Sequence, residues 1–205
     1  PYQYGANNPV NNIDVNGDSV WYTRNGDIVT MHVTAKIFNN SSDNINMAKA
    51  AQDIVSDIKS TYEGKFEWSD NKTYNLKVDM DLKVATSMKD VENSDHLFVL
   101  ADSDSKGARG ATSMLGGKVM TLASSDFANN NWLSNNLSYN KTFTAAHEFG
   151  HAIGLSHSQN PFNIMKQGGV VHNSNSNQRV IMLQQQNNLN NNLVVDIYNL
   201  GLKWR

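Results

Sequence analysis

The chain has 205 residues, 39% of them hydrophobic, enough for one good core and a small second lobe. Its formal net charge of −2 supplies no basic field for nucleic acid or an anionic membrane surface, and no apolar run approaches the length of a membrane span. Without cysteine, disulfides and thiolate metal ligands are excluded.

Residues Pro1 to Asp18, PYQYGANNPVNNIDVNGD, are turn-rich and poor in core residues, the pattern of a loop or linker. The missing initiator methionine suggests a piece of something longer. The segment YGANNPVNNIDVNG resembles the closing segment of the Rhs (YD-repeat) core, the shell-forming part of bacterial polymorphic toxins. In that family a variable toxin domain follows, after a junction that reads as a proline and then a spaced Asp-Pro-x-Gly. Pro9, Asp14 and Gly17 match the junction, while Val15 stands where its second proline would be. The resemblance implies a core end or linker over 1–18 and a separate domain over 19–205.

From Val20 the pattern becomes regular. VWYTR and DIVTM flank Asn25-Gly26, which predicts a β-hairpin. Val29, Met31, Val33, Ala35 and Ile37 alternate with polar residues, so one face of the second strand is buried and His32 lies on the other as a surface or satisfied histidine. Met47, Ala51, Ile54, Val55, Ile58 and Tyr62 have helical spacing, with Gly64 to end the helix. A long strand follows with Leu76, Val78, Met80, Leu82 and Val84 inward, and the apolar run His96 to Ala101 predicts a central strand. Asp102 to Gly110 breaks the sheet; Asp102 and Asp104 allow a calcium loop, but a plain solvated loop is the favoured reading. Two further strands are expected at Ala111, Thr112, Ser113, Met114, Leu115 and at Lys118 to Leu122, around Gly116-Gly117.

The chemistry lies in residues 140 to 165, NKTFTAAHEFGHAIGLSHSQNPFNIM. His147, Glu148, His151, Gly154 and His157 complete the pattern H-E-x-x-H-x-x-G-x-x-H. On a helix, positions i and i+4 are offset by only about 40°, so His147 and His151 face one metal ion and Glu148 lies beside it. Gly154 can take the left-handed conformation that stops the helix and swings the chain back to deliver His157. Three imidazoles and an open fourth position describe a catalytic zinc site rather than a closed structural one. Zinc lowers the pKa of a bound water to about 7, and Glu148 is placed to take that proton and pass it to a leaving amine.

The motif resembles that of the metzincin metallopeptidases, and HEFGHAIGLSHS is most similar to the matrixin branch, where a serine such as Ser158 follows the third histidine. Pro161-Phe162-Asn163-Ile164-Met165 matches the family's Met-turn, which makes Met165 the methionine beneath the metal. The resemblance implies an α+β fold of three-layer type: a twisted mixed sheet, a backing helix, an active-site helix, and a small C-terminal subdomain with Met-turn and C-terminal helix. The upper subdomain would span about 19–154 and the lower about 155–205. It also makes Ala111 to Leu115 the edge strand lining the cleft, which would hold an extended peptide by strand addition. Matrixins carry a calcium loop where Asp102 and Asp104 stand, yet the family's structural-zinc histidines are missing here.

Beyond Met165 the pattern fades. Lys166 to Val171 replaces the usual wall of the specificity pocket, His172 reads as a solvated loop histidine, and Asn173 to Asn192 has the composition of a low-complexity tract. Leu189, Leu193, Val194, Ile197 and Tyr198 nevertheless have helical spacing that Gly201 can end. Three readings follow. One is a zinc endopeptidase serving as the toxin of an Rhs protein, exported into or onto a target cell by a bacterial secretion system, with the Rhs shell, a cognate immunity protein and a protein substrate as partners. A second is a free secreted matrixin-like protease. The third is a non-catalytic metal-binding module, against which the intact Glu148 argues.

Overall fold

The computed structural model describes residues 12–13, 20–68, 71–102, 110–128, 138–167 and 178–179. Its organising strand is β3 (Ile28–Asn39), whose alternating Val29, Met31, Val33, Ala35 and Ile37 are all buried. β2 (Val20–Asn25) pairs antiparallel with Ile28–Val33. The hairpin loop is Gly26 and Asp27, with Asn25 opposite Ile28, one residue later than the Asn25-Gly26 turn predicted. Gly26 has φ 60, so glycine occupies the turn position whose backbone strains other residues, and this register keeps the buried face of β3 inward.

Along its other edge β3 runs parallel to β5 (Thr73–Val84), which is bordered by the short antiparallel β4 (Gly64–Glu67). On the β2 edge the far half of β3 pairs with β6 (His96–Ala101) in parallel, followed by parallel β8 (Val119–Ala123) and antiparallel β7 (Gly110–Thr112). β1 (Asn12–Ile13) pairs with β2, so part of the segment read as a linker contributes a strand to this sheet. The class is α+β with a mixed sheet.

Two helices cover one face of the sheet. In α1 (Met47–Tyr62) the buried Ala50, Ala51, Ile54, Ile58 and Tyr62 form the stripe that periodicity predicts. Asn46 caps it by accepting from the Lys49 N–H at 3.1 Å. The second helix, α2 (Ser138–Ala152), places Phe143, Ala145, Ala146, Phe149 and Ala152 in the same core. On the opposite face Leu97, Val99 and Val119 are covered by Phe38, Met88 and Val91. The expected inward set on β5 holds as far as Met80, with Leu82 half-buried; Val84 is 41% exposed, because β4 borders only Thr73 to Leu76 and the far end of β5 is the sheet margin. His32 is satisfied on the outer face by Asp79 at 3.1 Å and Thr23 at 2.8 Å. No described helix is long and apolar enough to cross a membrane. The expected C-terminal helix, His172 and Asp104 lie outside the described residues.

Candidate active site

The second half of α2 carries His147, Glu148 and His151 on consecutive turns. Gly154, at φ 91, ends the helix: its N–H donates to the His151 carbonyl at 3.0 Å and the Leu155 N–H to the Gly150 carbonyl at 2.8 Å. This pair of bonds reverses the chain and returns His157 toward the two helical histidines. His147, His151 and His157 each offer a ring nitrogen, and the three lie within 4.8 Å of one another. The Nε2 atoms of His151 and His157 are 3.1 Å apart. Two ligands at about 2.0–2.1 Å from a tetrahedral zinc would be separated by about 3.3 Å, so the cluster has the dimensions such an ion needs.

Hydrogen bonds fix the form of two of these rings. His147 donates from Nδ1 to the Ile164 carbonyl at 2.7 Å, and His151 from Nδ1 to the Leu155 carbonyl at 2.7 Å. A carbonyl only accepts, so each Nδ1 carries the hydrogen and each Nε2 presents a lone pair. Burial pushes the pKa of His147 below its ordinary value and that of His151 down to about 4, against the opposing pull of these carbonyl bonds. Both rings are therefore neutral, the form that binds a metal.

Glu148 is also buried, and burial raises its pKa; a bond from Thr112 is the largest opposing influence. The Thr112 hydroxyl lies 2.7 Å from Oε2 and 2.9 Å from the Glu148 carbonyl oxygen. Beneath the histidines, Met165 is fully buried and its segment is a hydrogen-bonded turn, with the Met165 N–H donating to Asn163 Oδ1 at 2.9 Å and the Lys166 N–H to the Asn163 carbonyl at 3.0 Å. The Ser158 N–H donates to the Met165 carbonyl at 2.8 Å, tying the chain beside His157 to that turn.

The expected strand at Ala111 to Leu115 is shorter than its sequence pattern. β7 ends at Thr112, and Ser113 to Gly117 turn back toward β8, with Gly116 at φ 77 and the Gly117 N–H donating to the Met114 carbonyl at 2.9 Å. Met114 and Leu115 consequently lie 41% and 53% exposed in the turn instead of continuing the strand. β7 is the last strand in the sheet order, beside α2.

Several supporting residues have no signature in the one-dimensional pattern. A Cβ on Gly150 would lie 2.5 Å from Tyr62 Oη and closer still to the Met165 sulfur, so glycine at this unspecified motif position lets the Met-turn approach the helix. Tyr62 closes the contact by donating to the Ala146 carbonyl at 2.7 Å. Asn163 and Gln178 exchange two amide hydrogen bonds, at 2.7 and 2.8 Å, while Arg179 donates to the carbonyls of Tyr62 and Glu63 at the end of α1 and of Lys65 in β4. The signal for this pair was a glutamine and an arginine in an otherwise Asn/Ser-rich tract, too weak to act on.

The peptidase M10 (matrixin) family model matches residues 21–188. The chain belongs to the matrixin family. That family is one of metallopeptidases, and among the described residues His147, His151 and His157 form a group suited to a zinc ion. Among solved structures it is similar to metalloproteinase-II from Bacteroides fragilis, at 16% identity and a TM-score of 0.42, over 89% of this chain and 60% of that one. It is also similar to archaemetzincin from Methanopyrus kandleri, at 16% identity and a TM-score of 0.38, over 82% of this chain and 97% of that one. No curated protein sequence matches the chain.

Proposed function

We propose that this matrixin is a zinc endopeptidase in which His147, His151 and His157 hold the metal and Glu148 is the general base. The observation that carries the reading is the convergence of three imidazole nitrogens within 4.8 Å, two of them on rings whose Nδ1 hydrogen is committed to a carbonyl, beside a buried carboxylate. When bound, zinc supplies a Lewis acid that polarises the scissile carbonyl and acidifies a water. Glu148 takes a proton from the attacking water and delivers it to the departing amine nitrogen. Burial raises its pKa toward working pH, which suits a group that must both accept and return a proton. The side of β7 where no described strand pairs receives an extended peptide by strand addition, with Ala111 and Thr112 in the strand and Ser113, Met114 and Leu115 in the turn at its end. Met165 supports the ligand helix from below.

The test is cleavage of an unfolded protein read by mass spectrometry, comparing wild type with Glu148→Ala, each with and without a chelator. Cleavage by wild type alone, lost in the variant and on chelation, is expected. A zinc-loaded wild type that cuts nothing more than Glu148→Ala would refute the general-base role.

The biological setting rests on the resemblance of Tyr4 to Gly17 to the end of an Rhs core. It supports an exported effector, acting in or on a competitor cell and held in check by its shell and an immunity protein. Expression of the 205-residue chain inside a bacterial cell should arrest growth, and its Glu148→Ala variant should not; harmless wild-type expression in every compartment would favour a free secreted protease.

A further inference from the structure

We infer that Thr112 is the positioning residue for the general base, its hydroxyl holding the Glu148 carboxylate against the edge strand; this rests on Glu148 acting as proposed above. Two positions on the same face of β7 make the contact. At Gly110 a Cβ would lie 2.9 Å from Glu148 Cγ and 3.1 Å from Oε1, and closer still to Thr144 Cγ2, so the strand passes too near the stem of Glu148 for any side chain there. Two residues on, the Thr112 hydroxyl meets Oε2 at 2.7 Å, and its single hydrogen goes to this nearer, charged acceptor in preference to the Glu148 carbonyl oxygen at 2.9 Å. Gly110 admits the stem and Thr112 takes the oxygen.

The placement divides the two carboxylate oxygens. With Oε2 accepting from Thr112, Oε1 remains to take the proton from water and release it to the amine nitrogen. Thr112 exchanges no proton, and its bond to Oε2 serves both the carboxylate and the acid protonated at Oε1. A glutamate side chain left to itself loses rotamer freedom when it is fixed, and a fold that has already ordered it spares the reaction that cost.

Thr112 also faces the cleft with its backbone. The Ser113 N–H donates to the Val119 carbonyl at 3.0 Å, and Thr112 stands opposite Met120. Strand alternation then turns the Thr112 N–H and carbonyl away from β8, toward the side of β7 where no described strand pairs. A peptide added to β7 would pair with the residue whose side chain holds Glu148, so the base and the substrate take their positions from one residue.

Crystal structures and steady-state kinetics of zinc-loaded wild type, Thr112→Val and Thr112→Ser test this. Thr112→Val should keep stoichiometric zinc and a melting temperature within about 4 °C of wild type. Its kcat should fall about 10- to 100-fold with KM within about twofold, and Thr112→Ser should recover most of the loss. In the crystals the Glu148 carboxylate should leave β7 in the valine variant and stay in the serine variant. An unmoved carboxylate in Thr112→Val, or a serine variant as slow as the valine one, would overturn the inference. If wild type itself cuts nothing, the general-base reading fails, while the crystals still decide whether the hydroxyl places the carboxylate.

Discussion

Gly150→Ala tests the contact between the active-site helix and the Met-turn. Alanine is the better helix former by about 1 kcal/mol, and on an open helix face the change would stabilise the protein. Here the new methyl would meet Tyr62 Oη at 2.5 Å, with Met165 Cε at 3.1 Å and its sulfur nearer still. Met165 can shift at modest cost because its side chain is flexible. Tyr62 cannot, since it is fully buried and its hydroxyl donates to the Ala146 carbonyl at 2.7 Å. Overpacking of this kind costs about 1–3 kcal/mol, and displacing the hydroxyl from its buried partner adds about 1–2 kcal/mol. After the helix-propensity gain of about 1 kcal/mol, a net loss of about 1–4 kcal/mol is expected, to be read by urea unfolding at fixed zinc concentration. In a Tyr62→Phe background the hydroxyl that cannot move aside is gone, and the cost of Gly150→Ala should fall by about 1 kcal/mol or more. A Gly150→Ala protein as stable as wild type, or an equal loss in both backgrounds, would refute the packing argument.

His96 predicts a pH dependence. It is buried at the start of β6, and burial, reinforced by the nearby Lys118, pushes its pKa down to about 3. Its unfolded value is about 6.5, so below that pH the unfolded chain binds a proton that the native protein refuses, and this group's contribution to stability falls by about 1.4 kcal/mol per pH unit. Above pH 6.5 it contributes no slope, and His96→Phe should remove about one proton from the difference in uptake measured between pH 6 and 4. Arg179→Ala should destabilise by about 3 kcal/mol, because three carbonyls, two at the end of α1 and one in β4, lose a charged donor. Arg179→Lys should recover only part of this, since an ammonium lacks the planar fork that reaches all three; full recovery in chemical denaturation would sink the account. Removing zinc by dialysis against a chelator should abolish cleavage and lower the melting temperature, with about 4 kcal/mol at stake when free zinc is a thousand times its Kd. Equimolar zinc should restore both, and an unchanged melting temperature would argue against a zinc held by the three histidines.

What could be read in advance were features written locally. The alternation in β3 and β5, the stripe on α1 and the histidine spacing on α2 each repeat with the period of the element that carries them, so composition along a few turns is enough. The turn at Gly26-Asp27 was misplaced by one residue because Asn25-Gly26 and Gly26-Asp27 are both good turn pairs, and strand register decided between them. The apolar Met114 and Leu115 extend the strand pattern past the end of β7, whereas the need to reach β8 bends the chain after Thr112. Gly110, Thr112, Gly150 and Arg179 have meaning only through residues distant in sequence. Nothing near Arg179 predicts that its guanidinium will meet carbonyls more than a hundred residues earlier.

These distant contacts explain why the motif alone does not make the site. The spacing of His147 and His151 orders two imidazoles along a helix, but the tautomer that exposes each Nε2 comes from the Ile164 and Leu155 carbonyls. Ile164 is in place because the Met-turn is held by Asn163, which is in turn paired with Gln178, and because Gly150 leaves room for Met165. On the other flank of α2, Glu148 is placed by β7 through Gly110 and Thr112. The imidazoles of His147 and His151 are therefore set from the chain beyond the helix, and the Glu148 carboxylate from the sheet edge beside it, with α2 between them. A change to the Met-turn should act first on metal affinity and a change to β7 first on turnover, so separate measurement of the two distinguishes which flank a substitution has disturbed.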